Sequence, residues 1–197
     1  MISLPNCLEK LKPLPEDPAD CQVYGCFEAE FNAIVKIYPI NQLLPYDDQD
    51  WIDGIHDSLD EDQGLIKVEK SKTTKGQKYI YSIIKTYLGP EEGIQYFLRL
   101  QILLRNDNMK NEGAYDICAF FTENGKIGIR EATVFAEIES TKIKDYIGEG
   151  WTFDPYNSSL KEGLLMNQSE KEDYDEMFPN HPLTKCRELI KYIKTNN

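Results

Sequence analysis

The sequence lacks the short motifs that mark many nucleotide-binding and hydrolytic enzymes. It contains neither GxxxxGK followed by Ser or Thr nor GxGxxG, and it has no GxSxG that would place a serine nucleophile on a sharp turn. Of the two histidines, His181 precedes Cys186 by five residues, about 1.4 helical turns, so the two side chains project from different faces. We therefore predict no catalytic residue and no cofactor.

Cysteines and long apolar runs are also scarce. The five cysteines are odd in number and none forms a CxxC pair, so we expect free thiols that are buried or half-buried rather than a zinc site. No stretch approaches the ~20 apolar residues that a membrane-spanning helix needs. The N-terminal residues lack the basic start and apolar centre of a signal peptide. We expect a cytoplasmic protein that does not enter a membrane.

The sequence has fewer basic than acidic residues. The 197 residues include 22 Lys and Arg against 34 Asp and Glu, which gives a net charge of -12 at pH 7. Such a chain repels the phosphate backbone, so nucleic acid is not an expected partner. A basic protein is the partner that this charge favours.

Residues 93–105 predict a long β-strand. Their side chains of one parity are all apolar, whereas the other parity is mixed, which indicates a strand with one fully buried face. Five further segments are β-rich, and together they predict an α+β fold with an antiparallel sheet of about six strands and helices packed against it. These segments are residues 23–37, 65–71, 77–88, 114–122 and 126–138. Asn124-Gly125, between the last two, predicts a tight hairpin.

Two helices are predicted at apolar residues with helical spacing. The first covers residues 50–61, with Gly64 available to close it, and the second begins at Pro182 and continues towards the C-terminus. Shorter helices are expected at 140–147 and 169–177.

The prolines and charges of residues 1–22 predict an N-terminal arm on the domain surface. One short helical turn is possible within it at residues 7–11. Residues 23–197 then predict a single α+β domain, in which 148–197 supply a loop and helices that pack on the sheet.

The polar face of the first helix is the leading candidate contact surface. Asp50, Asp53, Asp57 and Asp60 recur there at helical rather than calcium-loop spacing, so we predict a solvated acidic face and no metal. We expect a non-catalytic interaction module whose acidic face meets a basic protein. A toxin-neutralising immunity protein is one form of such a module, because many toxins that attack nucleic acid are basic.

The alternative is a small-ligand-binding protein or an enzyme with a pocket near Arg130 and Glu131. The planar fork of Arg130 could hold an anionic group, and Trp151 and Tyr156 could form the lip of the pocket. A structural interpretation is also open, with Arg130 and Glu131 in cross-strand ion pairs and the aromatic loop covering a sheet edge. An unpaired, inward-pointing Arg130 would favour the pocket, and a paired Arg130 without a cavity would favour structure.

The order of segments and the predicted ENGKIGIRE hairpin resemble the PsbP-like family over residues 23–140. The resemblance implies an α/β/α sandwich that acts as a binding or accessory module. It implies no catalytic residues.

Overall fold

The computed structural model describes residues 2–41, 48–105, 112–139, 154–157 and 168–197. Within these ranges seven strands form one antiparallel sheet accompanied by three α-helices, so the fold is α+β with one strand more than expected. The strands are β1 (Glu9–Leu11), β2 (Gln22–Phe27), β3 (Phe31–Ile40), β4 (Gln63–Lys72), β5 (Lys78–Gly89), β6 (Gly93–Arg105) and β7 (Glu112–Glu123). The helices are α1 (Asp48–His56), α2 (Ile129–Glu139) and α3 (Pro182–Asn196), with 3-10 turns at Gln168–Glu170 and Glu172–Tyr174. Across the sheet the strand order is β1-β2-β3-β7-β6-β5-β4.

The strand predicted at residues 93–105 is confirmed as β6, which pairs with β5 on one side and β7 on the other. Its apolar parity lies at the centre of the core, where Tyr96, Leu98 and Leu100 are fully buried. The predicted C-terminal helix is confirmed as α3, and Leu183 and Ile193 of its apolar stripe are fully buried in the same cluster. The alternating apolar residues of β6 and the helically spaced apolar residues of α3 therefore pack in one core.

The opposite face of the sheet contacts α1. Trp51 and Ile55 are buried in a second apolar cluster that includes Ile80 of β5. Ile80 lies between Tyr79 and Tyr81, which belong to the first cluster. Because successive strand residues point to opposite faces, α1 and α3 contact opposite faces of the sheet.

Some helix boundaries differ from the predictions. The helix expected at 50–61 spans Asp48–His56, and Gly64, expected to close it, lies in β4. Carboxylates past His56 oppose the helix dipole, which is consistent with the earlier end. In place of the short helix expected at 169–177, the chain has the two 3-10 turns at Gln168–Glu170 and Glu172–Tyr174. The helix predicted at 140–147 lies outside the described residues. No helix in the described ranges is both long and apolar enough to cross a membrane.

The predicted strand at residues 126–138 is wrong, because the chain turns there and forms α2. Gly125 and Gly128 both have a positive φ, of 74° and 69°, so the chain leaves β7 in a turn instead of a two-strand hairpin. Arg130 and Val134, four residues apart, are buried together, as expected for one face of a helix. Arg130 and Glu131 therefore lie in the first turn of a helix and not in a strand.

Two other differences account for the seven strands. The single strand expected at 23–37 is the hairpin of β2 and β3, and its turn is closed by a hydrogen bond from the Glu28 N–H to the Phe31 carbonyl at 2.9 Å. The shift of the apolar pattern at Cys26–Phe27 also predicts a bulge or break near Gly25, but Gly25 lies within β2. Residues 9–11 of the arm form β1, which pairs with β2, instead of a helical turn.

A carboxylate on β4 joins the C-terminal end of α3 to the sheet. Glu69 accepts hydrogen bonds from the hydroxyls of Tyr79 and Tyr81, at 2.6 and 3.1 Å, and from Lys194 Nζ at 2.6 Å. Lys194 also lies 4.9 Å from the ring centroid of Tyr81. Burial opposes the ionisation of Glu69, but Lys194 and the hydroxyls outweigh burial and lower the pKa of this carboxyl.

We predict that Glu69→Gln makes the free energy of unfolding less dependent on pH below the ordinary glutamate pKa of 4.5. Because the pKa of Glu69 is lower in the folded state, its stabilisation is complete above the unfolded-state pKa and is lost as the pH falls through the folded-state pKa. Urea denaturation should show a loss of roughly 1 kcal/mol at pH 7 that narrows at pH 3.

The matched control is Glu188→Gln, which removes an exposed carboxylate paired with Lys185 on α3. This variant should change stability little at either pH, because exposed pairs contribute little. If Glu69→Gln lowered the free energy of unfolding equally at pH 7 and pH 3, the lowered pKa of Glu69 would not be the source of its stabilisation.

Candidate functional site

The predicted acidic surface consists of Asp50, Asp53, Asp57 and Asp60, and all four residues are exposed. Asp50 and Asp53 lie in α1, and Asp57 and Asp60 follow it in the turn that leads to β4. Asp53 accepts a hydrogen bond from the Gln49 side chain at 2.7 Å. No ion pair joins the four carboxylates to any residue whose structure is described. We call these four exposed carboxylates the acidic surface.

The helix that carries the acidic surface is held firmly on its other side. Trp51 and Ile55 are buried, and the Arg99 guanidinium lies 5.4 Å from the Trp51 ring centroid. At the end of the helix, His56 Nε2 lies 2.9 Å from a carboxylate oxygen of Asp154. The orientation of α1, which carries Asp50 and Asp53, is therefore fixed by packing and by a polar contact.

Arg130, predicted either to bind an anion or to pair structurally, is completely buried. Its Nε donates to the Ser169 carbonyl at 2.5 Å, and its Nη2 donates to the Lys171 carbonyl at 3.0 Å. Its Nη1 donates to Asp175 and to the Thr184 hydroxyl, each at 2.9 Å. Four hydrogen bonds donated by Arg130 thus join α2 to the 3-10 turns, to Asp175 and to α3. Arg130 is therefore paired, as the structural interpretation requires.

The aromatic part of the alternative pocket contacts a different part of the fold. The Tyr156 hydroxyl lies 2.5 Å from the backbone N of Val68 and donates to the Val68 carbonyl at 3.3 Å. Val68 belongs to β4, the edge strand, so Tyr156 occupies backbone groups that face away from β5. Trp151 lies outside the described residues. Arg130 and Tyr156 bind different elements, and a shared ligand pocket remains a prediction.

One hollow bounded by described residues has a volume of about 100 Å³ and is lined by Lys72, Gly76, Gln77, Lys78 and Leu103. Sites for small-molecule ligands usually measure about 300 Å³ or more. This hollow is therefore too small for a ligand of ordinary size.

The structure brings together a group of side chains that the sequence reasoning missed. Glu123, Glu131 and His181 each place one ligand-type atom within 4.8 Å of the others, and we call them the Glu–Glu–His cluster. Glu123 ends β7, Glu131 lies in the first turn of α2, and His181 is the N-cap of α3. His181 is far from the two glutamates in sequence, and Glu131 was assigned to a strand. The only local signal was His181 standing directly before Pro182.

Glu123 is held as an anion in the cluster. Its oxygens accept hydrogen bonds from the backbone N–H groups of Ile94 and Gly128, at 3.1 and 2.9 Å. His181 Nε2 lies 3.6 Å from the nearer oxygen. Burial opposes ionisation, but His181 and the two N–H groups outweigh burial and lower the pKa of Glu123.

Glu131 and His181 each have one buried atom without a hydrogen-bond partner in the described part of the chain. The Tyr96 hydroxyl donates to one oxygen of Glu131 at 3.2 Å, and the other oxygen has no partner. His181 Nδ1 accepts the Leu183 N–H at 3.3 Å as the helix cap, and Nε2 has no partner. Burial, followed by Glu131 and other carboxylates, raises the pKa of Tyr96 far above its ordinary value, so its hydroxyl stays protonated. The cluster can therefore accept a cation.

Comparison with models of known protein families and with curated proteins gave no match to this chain. We therefore infer its function from the contacts and charges described above.

We predict that Arg130→Lys destabilises the fold by about 3 kcal/mol, because lysine keeps the charge but cannot make the four directed donations of the buried guanidinium. Urea denaturation monitored by circular dichroism measures the loss. Arg187→Lys is the control, because Arg187 contacts the same Asp175 carboxylate from a more exposed position, and it should cost clearly less. A stable Arg130→Lys variant would mean that these hydrogen bonds do not hold α2 in place.

Proposed function

We propose that the protein is a non-catalytic, cytoplasmic interaction module whose acidic surface contacts a basic protein. The observation that carries this proposal is the exposure of Asp50, Asp53, Asp57 and Asp60 with no ion pair to a described residue. Exposed carboxylates of this kind add little to folding stability, so their charge is available to a partner. The net charge of -12 adds a long-range attraction for basic proteins.

The rigid attachment of α1 also supports the proposal. Trp51 and Ile55 fix the helix on the sheet, so a partner would meet carboxylates that are already in place. A surface that needs no ordering on binding loses less conformational entropy. Charge complementarity at such a surface contributes mainly to association rate and specificity.

A basic toxin is one partner of the required chemistry, and the module would then be an immunity protein. The toxin would be neutralised by occupation of its positive surface. A toxin gene beside the gene for this chain would support this form of the proposal.

The proposed architecture is an α/β/α sandwich similar to that of the PsbP-like family, formed by residues 23–197 with 1–22 as an arm. The contacts of α1 and α3 with opposite parities of β5 support it. The ENGKIGIRE segment does not, because it is a turn followed by the start of α2. The resemblance therefore depends on segment order.

We predict that reversing Asp53, Asp57 and Asp60 to lysine weakens capture of the basic partner roughly tenfold, since three rim charges contribute about 0.5 kcal/mol each. Asp50 stays unchanged because a carboxylate near the start of α1 stabilises the helix dipole. The measurement is affinity purification from a host lysate at low and high salt, with quantitative mass spectrometry. The remaining binding should depend less on salt.

The matched control reverses Glu172, Asp173 and Glu176, which are also exposed and lie on the 3-10 turns and just after them. It changes the net charge by the same amount at a different place. Equal loss in both variants would show that total charge rather than the acidic surface attracts the partner. Unchanged capture by the variant with Asp53, Asp57 and Asp60 reversed would refute the proposed contact.

A further inference from the structure

We propose that the Glu–Glu–His cluster binds a single divalent transition-metal ion. Glu123, Glu131 and His181 come from three elements, and their ligand atoms lie within 4.8 Å of one another. Metal–ligand bonds of about 2.0–2.2 Å place the ligand atoms of one ion between about 3 and 4.4 Å apart. The side chains therefore need only a small inward movement to share an ion.

The donor set selects the class of metal. One imidazole nitrogen and two carboxylate groups suit Zn²⁺, Mn²⁺, Fe²⁺ or Co²⁺. Mg²⁺ and Ca²⁺ prefer a shell made of oxygen, so the imidazole disfavours them. The inference is independent of the acidic surface, whose carboxylates are all exposed.

Two buried side-chain atoms of the cluster without a hydrogen-bond partner among the described residues provide a second observation. His181 is only 9% exposed, and its Nε2 has no hydrogen-bond partner among residues with a described structure. The second oxygen of Glu131 is likewise buried without a partner there. Burying a polar atom without a partner is costly, and one cation would bind both atoms.

The charges around the Glu–Glu–His cluster also favour a bound cation. The cluster brings two carboxyl groups together beside His181, whose Nε2 lies 3.6 Å from an oxygen of Glu123. Nearby basic side chains contact other acids: Arg130 bonds Asp175, and Lys85 bonds Glu170. A divalent ion would supply the positive charge that two adjacent carboxylates need.

The groups around the cluster orient two of its ligands. Backbone N–H groups fix Glu123, and the Tyr96 hydroxyl fixes Glu131, as surrounding hydrogen bonds do in many metal sites. His181 must change its tautomer, because Nε2 can bind a metal only through its lone pair. The proton then resides on Nδ1, and the long 3.3 Å contact from Leu183 N–H is given up.

The bound ion would fasten the end of β7 to the starts of α2 and α3. All three ligands lie at or near the ends of these elements. A metal held there would couple binding to folding stability.

The test uses the full chain labelled with ¹⁵N in histidine, stripped of metal with EDTA, dialysed and titrated with zinc chloride. His181 and His56 are the only histidines, so each serves as the internal control of the other. We expect the His181 Nε2 resonance to shift until one equivalent is bound, while His56 stays unchanged. No shift of His181 at one equivalent, or a shift of His56 first, would overturn the proposal.

A second measurement titrates Co²⁺ and follows its visible absorption in the wild type and in variants. Glu131→Gln preserves shape but removes a charged ligand, so affinity should fall at least about tenfold. Asp53→Asn with Asp57→Asn tests adventitious binding to the acidic surface and should leave affinity unchanged. Loss of binding in that double variant alone would overturn the proposal. If Glu131→Gln fails to fold, the histidine measurement on the unaltered chain still decides.

Discussion

The contact between α3 and the apolar face of β6 is the interaction on which the rest of the structure depends. Leu98 and Leu100 on the strand and Leu183 and Ile193 on the helix are fully buried in the same cluster. Because α3 is fixed there, its N-cap His181 comes to lie beside the ends of β7 and the start of α2. One apolar contact therefore positions the polar groups that the chain collects at this end of the sheet.

The long elements could be predicted because their patterns extend over many residues. The alternation of β6 covers thirteen residues, and α3 has both an apolar stripe and a proline in its first turn. The segment at 126–138 could not be assigned in this way, because its apolar residues fit a strand and a helix equally. Positive φ at Gly125 and Gly128 and the burial of Arg130 decided between them. Those are tertiary effects that local periodicity does not contain.

The two candidate sites also differ in how far the sequence alone could predict them. The acidic surface lies on one helix and the segment after it, so sequence spacing could predict exposed carboxylates there, although Asp57 and Asp60 follow α1 instead of lying on it. The Glu–Glu–His cluster needs three elements that meet only in the folded chain. His181 also has a local role as a helix cap, which explains its presence without any site. Sites assembled from element ends therefore stay hidden until the topology is known.

The hydroxyl of Tyr156 has a consequence for how copies of this chain meet. By occupying the N–H and carbonyl of Val68, it blocks part of the outer rim of β4, where a strand from another molecule would add. At the opposite rim, β1 is only three residues long and offers little backbone for such pairing. Both rims of the sheet therefore offer less open backbone for the addition of another strand than an uncovered edge of the same length would.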